Sequence, residues 1–277
     1  MCRWMAYSGP PIYLDDILFK ADNSLVRQSL NARWSHVVTN GDGFGIGWYG
    51  TRGQPGLYRD ILPAWNDDNL REVAEQVSSG LFFAHVRAAT GGSATSRANC
   101  HPFRYGDWLF MHNGAIGDFA SLRRELDLAI PDHLYRHKAG TTDSETIFYL
   151  LLANGLERDP GAAFATTVDM VLGAMRAHGI TSPFRFAAIA TDGERLVAVR
   201  YSSDRQSPSL FYGLGAAGSG ESIMILSEPA DQDTGHWAEV PESSLVFAGD
   251  GALHVQPFAP AEPACGGAVP VAGAQGH

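Results

Sequence analysis

The second half of the chain constrains the fold most, because it is a succession of short apolar strands joined by turns. "FRFAAIATDGERLVAVRYSS" predicts a hairpin around Asp192 and Gly193, and "SLFYG", "SIMILSE" and "SLVFAGDGALHVQPF" continue the meander. Strands also open the chain: Arg3 to Ser8, stopped by Gly9, Pro10 and Pro11, and Phe44 to Tyr49, whose alternating glycines serve close backbone packing or a bend. "LFFAHVRAAT" predicts a buried strand, followed by a loop through "GGSATSRANCHPF" and by the strand "DWLFMHNG", ending in a turn. The stretch from Asp67, "DDNLREVAEQVSSG", has capping side chains, Leu70, Val73 and Val77 at helical spacing, and a terminating Gly80. "GDFASLRREL" predicts a short helix and "TTDSETIFYLLLANG" a longer one with a Thr142-x-x-Glu145 capping box, and a further helix covers Gly161 to His178. Helices in the middle with hairpins on both sides predict one α+β domain with antiparallel sheets.

From Ala259 the sequence becomes "APAEPACGGAVPVAGAQGH", too poor in large apolar side chains to offset its ordering entropy. The expected division is therefore a domain over residues 2–258 and a flexible tail over 259–277. A net charge of -10 with no run of Lys or Arg argues against a nucleic-acid partner. No apolar stretch approaches the roughly 18 to 20 residues of a membrane span, and the N-terminus lacks the parts of a secretion signal, so no membrane partner and a cytoplasmic location are expected. Cys2, Cys100 and Cys265 are odd in number and unpaired in spacing, so they read as reduced thiols.

Several residues carry candidate chemistry. If Met1 is removed, Cys2 presents a thiol and a free α-amine, a nucleophile and a proton acceptor in one residue; if Met1 stays, Cys2 is a small residue opening a strand. His85, His101 and His112 lie near strand ends with Cys100 nearby, but their spacing matches no zinc pattern, and hydrogen-bonded, partly buried histidines are the better reading. The G-x-G-x-x-G at Gly213, Gly215 and Gly218 is followed by a strand, so it lacks the helix N-terminus that would meet a pyrophosphate. Arg87, at the end of an apolar strand, suits either a structural salt bridge or an incoming carboxylate. Asn113-Gly114 is a common turn dipeptide, yet an Asn amide and the following N–H also make an oxyanion hole. Asp143 begins a helix, where an N-cap aspartate is commonplace and would suffice taken alone, although a carboxylate there also suits an amine. Together these groups are what is needed to hold a γ-glutamyl group and attack its δ-carbonyl.

The motifs "MCRW", "NGDGFGIGWY", "AHVRAAT", "NCHPF", "MHNG" and "TTDSE", in this order, resemble the glutaminase domain of class-II glutamine amidotransferases, which are N-terminal-nucleophile hydrolases. The match spans Cys2 to about residue 150. It is most similar to the stand-alone branch that contains the fungal glutathione-degrading complex subunit, with the ergothioneine-pathway γ-glutamyl hydrolase a similar relative. The resemblance implies a four-layer αββα sandwich, Cys2 as nucleophile with its own α-amine as base, and no metal or cofactor. It implies further that Arg87 and Thr90 hold the substrate α-carboxylate, that Asn113 and Gly114 form the oxyanion hole, and that Asp143 binds the α-ammonium. Ala88 and Ala89 stand where many relatives have an aromatic residue and a serine or alanine, so one wall of the pocket departs from the pattern. The implied activity is hydrolysis of the γ-glutamyl amide bond of glutamine or a glutathione-like compound through a Cys2 thioester. The partner is then a small γ-glutamyl molecule. The alternatives are a glutaminase subunit passing ammonia to a separate synthase partner, a non-catalytic scaffold subunit, and a metal-dependent hydrolase using the histidines.

Overall fold

The central strands are buried at consecutive positions, and because successive side chains point to opposite faces both faces of each are buried, so the chain stacks two sheets with helices outside them. The computed structural model describes residues 2–32, 39–89, 95–215, 222–232, 235–249 and 251–261. In chain order these form β1 (Arg3–Tyr13), α1 (Leu25–Leu30), β2 (Phe44–Trp48), β3 (Gly56–Asp60), α2 (Asp68–Gln76), β4 (Ser78–Val86), β5 (Phe103–Tyr105), β6 (Trp108–Ala115), α3 (Phe119–Leu128), α4 (Asp132–Tyr135), α5 (Asp143–Ala153) and α6 (Pro160–Ala177). The last seven strands are β7 (Arg185–Thr191), β8 (Leu196–Ser202), β9 (Phe211–Leu214), β10 (Ile223–Leu226), β11 (Trp237–Glu239), β12 (Ser244–Gly249) and β13 (Ala252–Pro257). One sheet runs β11-β9-β10-β1-β4-β2-β3 and the other β13-β12-β8-β7-β6-β5, with antiparallel neighbours throughout.

Three apolar layers separate four layers of structure. Trp4, Ala6, Leu81, Phe83, Leu109, Met111, Ile189 and Ile225 meet between the two sheets. Met5, Tyr7, Phe82 and Ala84 occupy the opposite face of the first sheet, under α1 and α2 with their Leu25 and Leu70. Phe110, Phe186 and Ala188 line the outer face of the second sheet and pack on α3, α5 and α6 through Leu122, Phe148 and Phe164. The rings of Phe110 and Phe148 stack with centroids 5.3 Å apart. This is the expected αββα sandwich.

The structure departs from the sequence reading at particular points. β1 does not stop at Gly9 but continues to Tyr13, because a register shift between Ser8 and Ile12 lifts Pro10 and Pro11 out of the β4 ladder. α2 ends at Gln76 instead of Gly80: the Val77 carbonyl is taken by the Leu14 N–H at 3.0 Å, and β4 begins at Ser78, so Gly80 lies inside a strand. Asn113 and Gly114 form no turn; they lie within β6, opposite Ala187 and Phe186 of β7. The capping box of α5 is half realised. Thr142 Oγ1 accepts from the Glu145 N–H at 3.3 Å, but the Glu145 carboxylate turns to the N–H groups of Ala139 and Gly140, at 2.9 and 2.6 Å. At the C-terminal end Phe258 is buried against α6 and the Ala261 N–H donates to the Ala165 carbonyl at 3.2 Å; the rest of the expected tail, with Cys265, lies outside the described residues.

Replacing Phe148 by Ala empties the contact with Phe110 at the middle of the helical layer. Chemical denaturation is expected to show a loss of about 3–5 kcal/mol relative to the parent chain.

Candidate active site

The two sheets open at one end, and the pairing of β1 with β4 decides what is found there. Arg3 lies opposite Val86, so Cys2, just before β1, comes beside Arg87, just after β4. Alternation puts Cys2 in the row of Trp4 and Ala6, and Arg87 in the row of Phe83 and His85; both rows face the gap between the sheets. Cys2, Arg87, Gly114 and Asp143 line one cleft of about 780 Å³, together with Ala88, Thr142 and Ser144.

The Cys2 thiol is held by a single residue of the opposite strand end. The Ala88 N–H donates to Sγ at 3.4 Å, and Sγ lies 3.5 Å from the Ala88 carbonyl. Burial pushes the thiol up, opposed by the Ala88 hydrogen bond and by the Arg87 and Arg3 cations. Arg3 also fixes the Cys2 backbone: its Nη1 donates to the Cys2 carbonyl at 2.9 Å while its Nε pairs with Glu228 at 2.7 Å, both side chains being fully buried. Cys100, by contrast, is enclosed in the protein with Sγ against the Asp60 carbonyl at 3.3 Å, and burial pushes its thiol up to about 11. Of these two thiols, Cys2 is the one on the cleft.

Arg87 is 3% exposed and donates from Nη1 to the Asp42 carbonyl at 3.3 Å, and its own N–H donates to the Gly43 carbonyl at 2.8 Å. Asp42 closes this turn from the other side, accepting the Ala89 N–H on Oδ2 at 2.7 Å. Ala88 and Ala89 both line the cleft, on the wall whose sequence departs from the family pattern. Thr90 lies outside the described residues.

Gly114 must be glycine. Its φ is +148°, and a Cβ there would fall 1.9 Å from the Arg185 carbonyl oxygen across the β6–β7 ladder. Asn113 sits behind it, 1% exposed, with neither side-chain amide atom hydrogen-bonded among the described residues. A buried, unpaired amide is costly to maintain for structure alone. Asp143 opens α5, where helix N-termini favour negative charge. Thr142 is the N-cap, so Asp143 is not needed for capping; its Oδ2 accepts the Ile116 N–H at 2.9 Å and its Oδ1 the Ser144 N–H at 2.8 Å.

The three histidines do not converge. His85 and His101 stack with centroids 4.1 Å apart, and His101 meets Phe103 edge-on at 4.5 Å. His112 turns to the opposite face of β6, its Nδ1 2.9 Å from Ser144 Oγ and its ring on Phe186. Among the described residues no group of three His, Cys, Asp or Glu side chains is arranged to hold a metal ion. The stacked pair is buried, as expected of these histidines, and the His112 backbone carbonyl bears on His85. Burial pushes His85 down to about 3 and His101 well below the ordinary histidine range, so both are neutral. The NCHPF segment reaches this place by crossing Gly45, where a Cβ would lie 2.1 Å from the His101 carbonyl oxygen: the close packing expected of that glycine.

Asp42, Glu228 and Ser144 also shape the site without having been singled out from the sequence. Asp42 and Ser144 stood inside quoted motifs, and Arg3 was visible as a cation in an apolar strand, but its partner 225 residues away was not.

Comparison with known proteins adds to this geometry. Residues 18–211 match the family model described as glutamine amidotransferases class-II. The chain belongs to the class-II glutamine amidotransferases. It is 34% identical to the "Probable glutamine amidotransferase DUG3" of Saccharomyces cerevisiae, over 89% of this chain and 81% of that one. It is 28% identical to the "Gamma-glutamyl-hercynylcysteine sulfoxide hydrolase" of Mycolicibacterium smegmatis, over 93% of this chain and all of the other. A glutamine aminotransferase class-II domain protein from Silicibacter pomeroyi superposes with a TM-score of 0.74 at 39% identity, over 94% of this chain and 100% of that one. The glutamine phosphoribosylpyrophosphate amidotransferase of B. subtilis shares the fold, with a TM-score of 0.59 at 16% identity.

The buried histidines of this amidotransferase give a pH dependence of stability. His85 resists protonation in the folded chain but accepts a proton near its ordinary value of 6.5 when unfolded, so its contribution is complete above about 6.5 and is lost as pH falls toward about 3. Denaturation series between about pH 7 and 5 are expected to show stability falling on acidification. In His85→Leu the slope should be shallower by up to about 1.4 kcal/mol per pH unit.

Proposed function

We propose that this amidotransferase hydrolyses γ-glutamyl amides, glutamine or a larger γ-glutamyl compound, through a thioester on Cys2. The observation that carries the reading is the meeting on one cleft of Cys2, Arg87, Gly114 and Asp143, from four separate elements, with the unpaired Asn113 amide behind Gly114. Arg87, with Thr90 near it in sequence, takes the α-carboxylate; Asp143 takes the α-ammonium; the Asn113 amide and the Gly114 N–H receive the oxyanion. A cleft of about 780 Å³ leaves room beyond a glutamyl group, in keeping with the bulky leaving group named for the mycobacterial relative.

Removal of Met1 is part of this proposal. With Met1 in place the Cys2 nitrogen is an amide, which cannot take the thiol's proton, and burial raises the thiol. Once Met1 is removed, the Cys2 nitrogen becomes a free α-amine next to the thiol and supplies the base that takes its proton. The thiolate attacks the δ-carbonyl carbon, the C–N bond breaks, and the departing nitrogen takes the proton from the α-ammonium. Water then gives a proton to the α-amine and attacks the thioester, releasing glutamate and restoring the thiol. A reactive thiol of this kind suits a reducing, cytoplasmic compartment, and among the described residues no helix is long and apolar enough to cross a membrane.

Glutamate release from glutamine, glutathione and other γ-glutamyl amides tests the reading. Cys2→Ala should abolish release while the fold persists, and Asn113→Ala should lower kcat about a hundred- to thousandfold. Undiminished release by Cys2→Ala would refute it, and loss of activity to a chelator would favour the metal-dependent alternative.

A further inference from the structure

The proposed mechanism leaves two buried polar side chains beside the cleft without a role. Ser144 is 6% exposed and His112 1%, and they bond to each other, His112 Nδ1 to Ser144 Oγ, at 2.9 Å. Ser144 follows Asp143 and touches it twice: its N–H donates to Asp143 Oδ1 at 2.8 Å, and its Oγ lies 3.4 Å from the same oxygen. His112 precedes Asn113 and Gly114 on β6, and its Nε2 lies 2.6 Å from the place a Gly114 Cβ would occupy and 3.4 Å from the Arg185 carbonyl. One imidazole thus touches the strand that carries the oxyanion donors and, through one hydroxyl, the residue that carries the ammonium-binding carboxylate.

We propose that Ser144, held by His112, is a positioning residue that fixes the Asp143 carboxylate relative to Gly114, and so sets the enzyme's preference for substrates bearing an α-amine. The inference rests on the reading of Asp143 given above. A carboxylate has about four acceptor positions, and backbone N–H groups from Ile116 and Ser144 use one on each oxygen. The remaining positions serve an incoming ammonium only if the carboxylate plane cannot swing, and the Ser144 hydroxyl, held by the buried His112 ring, blocks that motion on the Oδ1 side. Burial also pushes His112 below its ordinary range against the pull of the Asp143 charge, so a neutral ring stands here and the carboxylate's charge is left for the substrate.

The test compares inhibition by L-glutamate with inhibition by glutarate, which has the same two carboxyl groups and no α-amine, using the γ-glutamyl amide that the processed enzyme turns over fastest as reporter. Parent enzyme should bind glutamate more tightly than glutarate. In Ser144→Ala the inhibition constant for glutamate should rise about tenfold more than that for glutarate, Ser144→Thr should restore the parent preference, and His112→Asn should repeat the selective loss. Equal weakening of both inhibitors, or none, in a Ser144→Ala protein of parental thermal stability would overturn the proposal. Asp143→Asn separates the two levels. If it removes the preference while Ser144→Ala does not, only the role of Ser144 fails; if it leaves the preference intact, the reading of Asp143 fails and this inference with it.

Discussion

The register in which β1 lies along β4 is the constraint on which the cleft depends. With Arg3 opposite Val86, the residue before one strand and the residue after the other are brought side by side, and both point between the sheets. A slip of one residue would turn Cys2 to the helical side and leave Arg87 facing an apolar wall. The register is therefore anchored at the site itself. The fully buried Arg3–Glu228 pair ties the start of β1 to the chain just after β10, and Arg3 spends a further hydrogen bond on the Cys2 carbonyl. Breaking such a pair from one side leaves an uncompensated buried charge, which makes the anchor hard to change once present.

The second sheet supplies what the first cannot. β6 runs to the same open end, and its pairing with β7 forces Gly114 into a conformation and a closeness that exclude a side chain, leaving its backbone accessible from the cleft. The helical layer contributes through one helix start. α5 is nearly all buried and so has little freedom, and its first residues, Asp143 and Ser144, inherit that fixity. Three layers of the sandwich thus meet at a single point, each supplying the group its own geometry holds best: the Cys2 thiol, a strand backbone and a helix N-terminal carboxylate.

Much of this was legible in the sequence because the patterns are local. The Asp192-Gly193 hairpin, the helix after Thr142 and the shared face of His85 and Arg87 follow from turn chemistry, capping and alternation, and all three stand in the structure. The misreadings arise where a distant strand decides. Asn113-Gly114 looks like a turn until β7 pairs with it, Gly80 looks like a helix stop until β4 claims it, and Pro10-Pro11 looks like a strand end until a bulge carries them past the ladder. The histidines illustrate the same limit. Their spacing gave no metal pattern, but that two of them would stack as buried, neutral rings is set by tertiary packing and has no signature in the sequence.

The central claim is that one liberated residue provides both sulfur and nitrogen for the reaction. Mass spectrometry of fully active protein inactivated with a glutamine analogue carrying an electrophile at the δ-carbon tests it most directly. The account predicts a chain that lacks Met1 and carries one adduct, on Cys2. An adduct on Cys100 or another residue, or full activity in a chain that retains Met1, would contradict it.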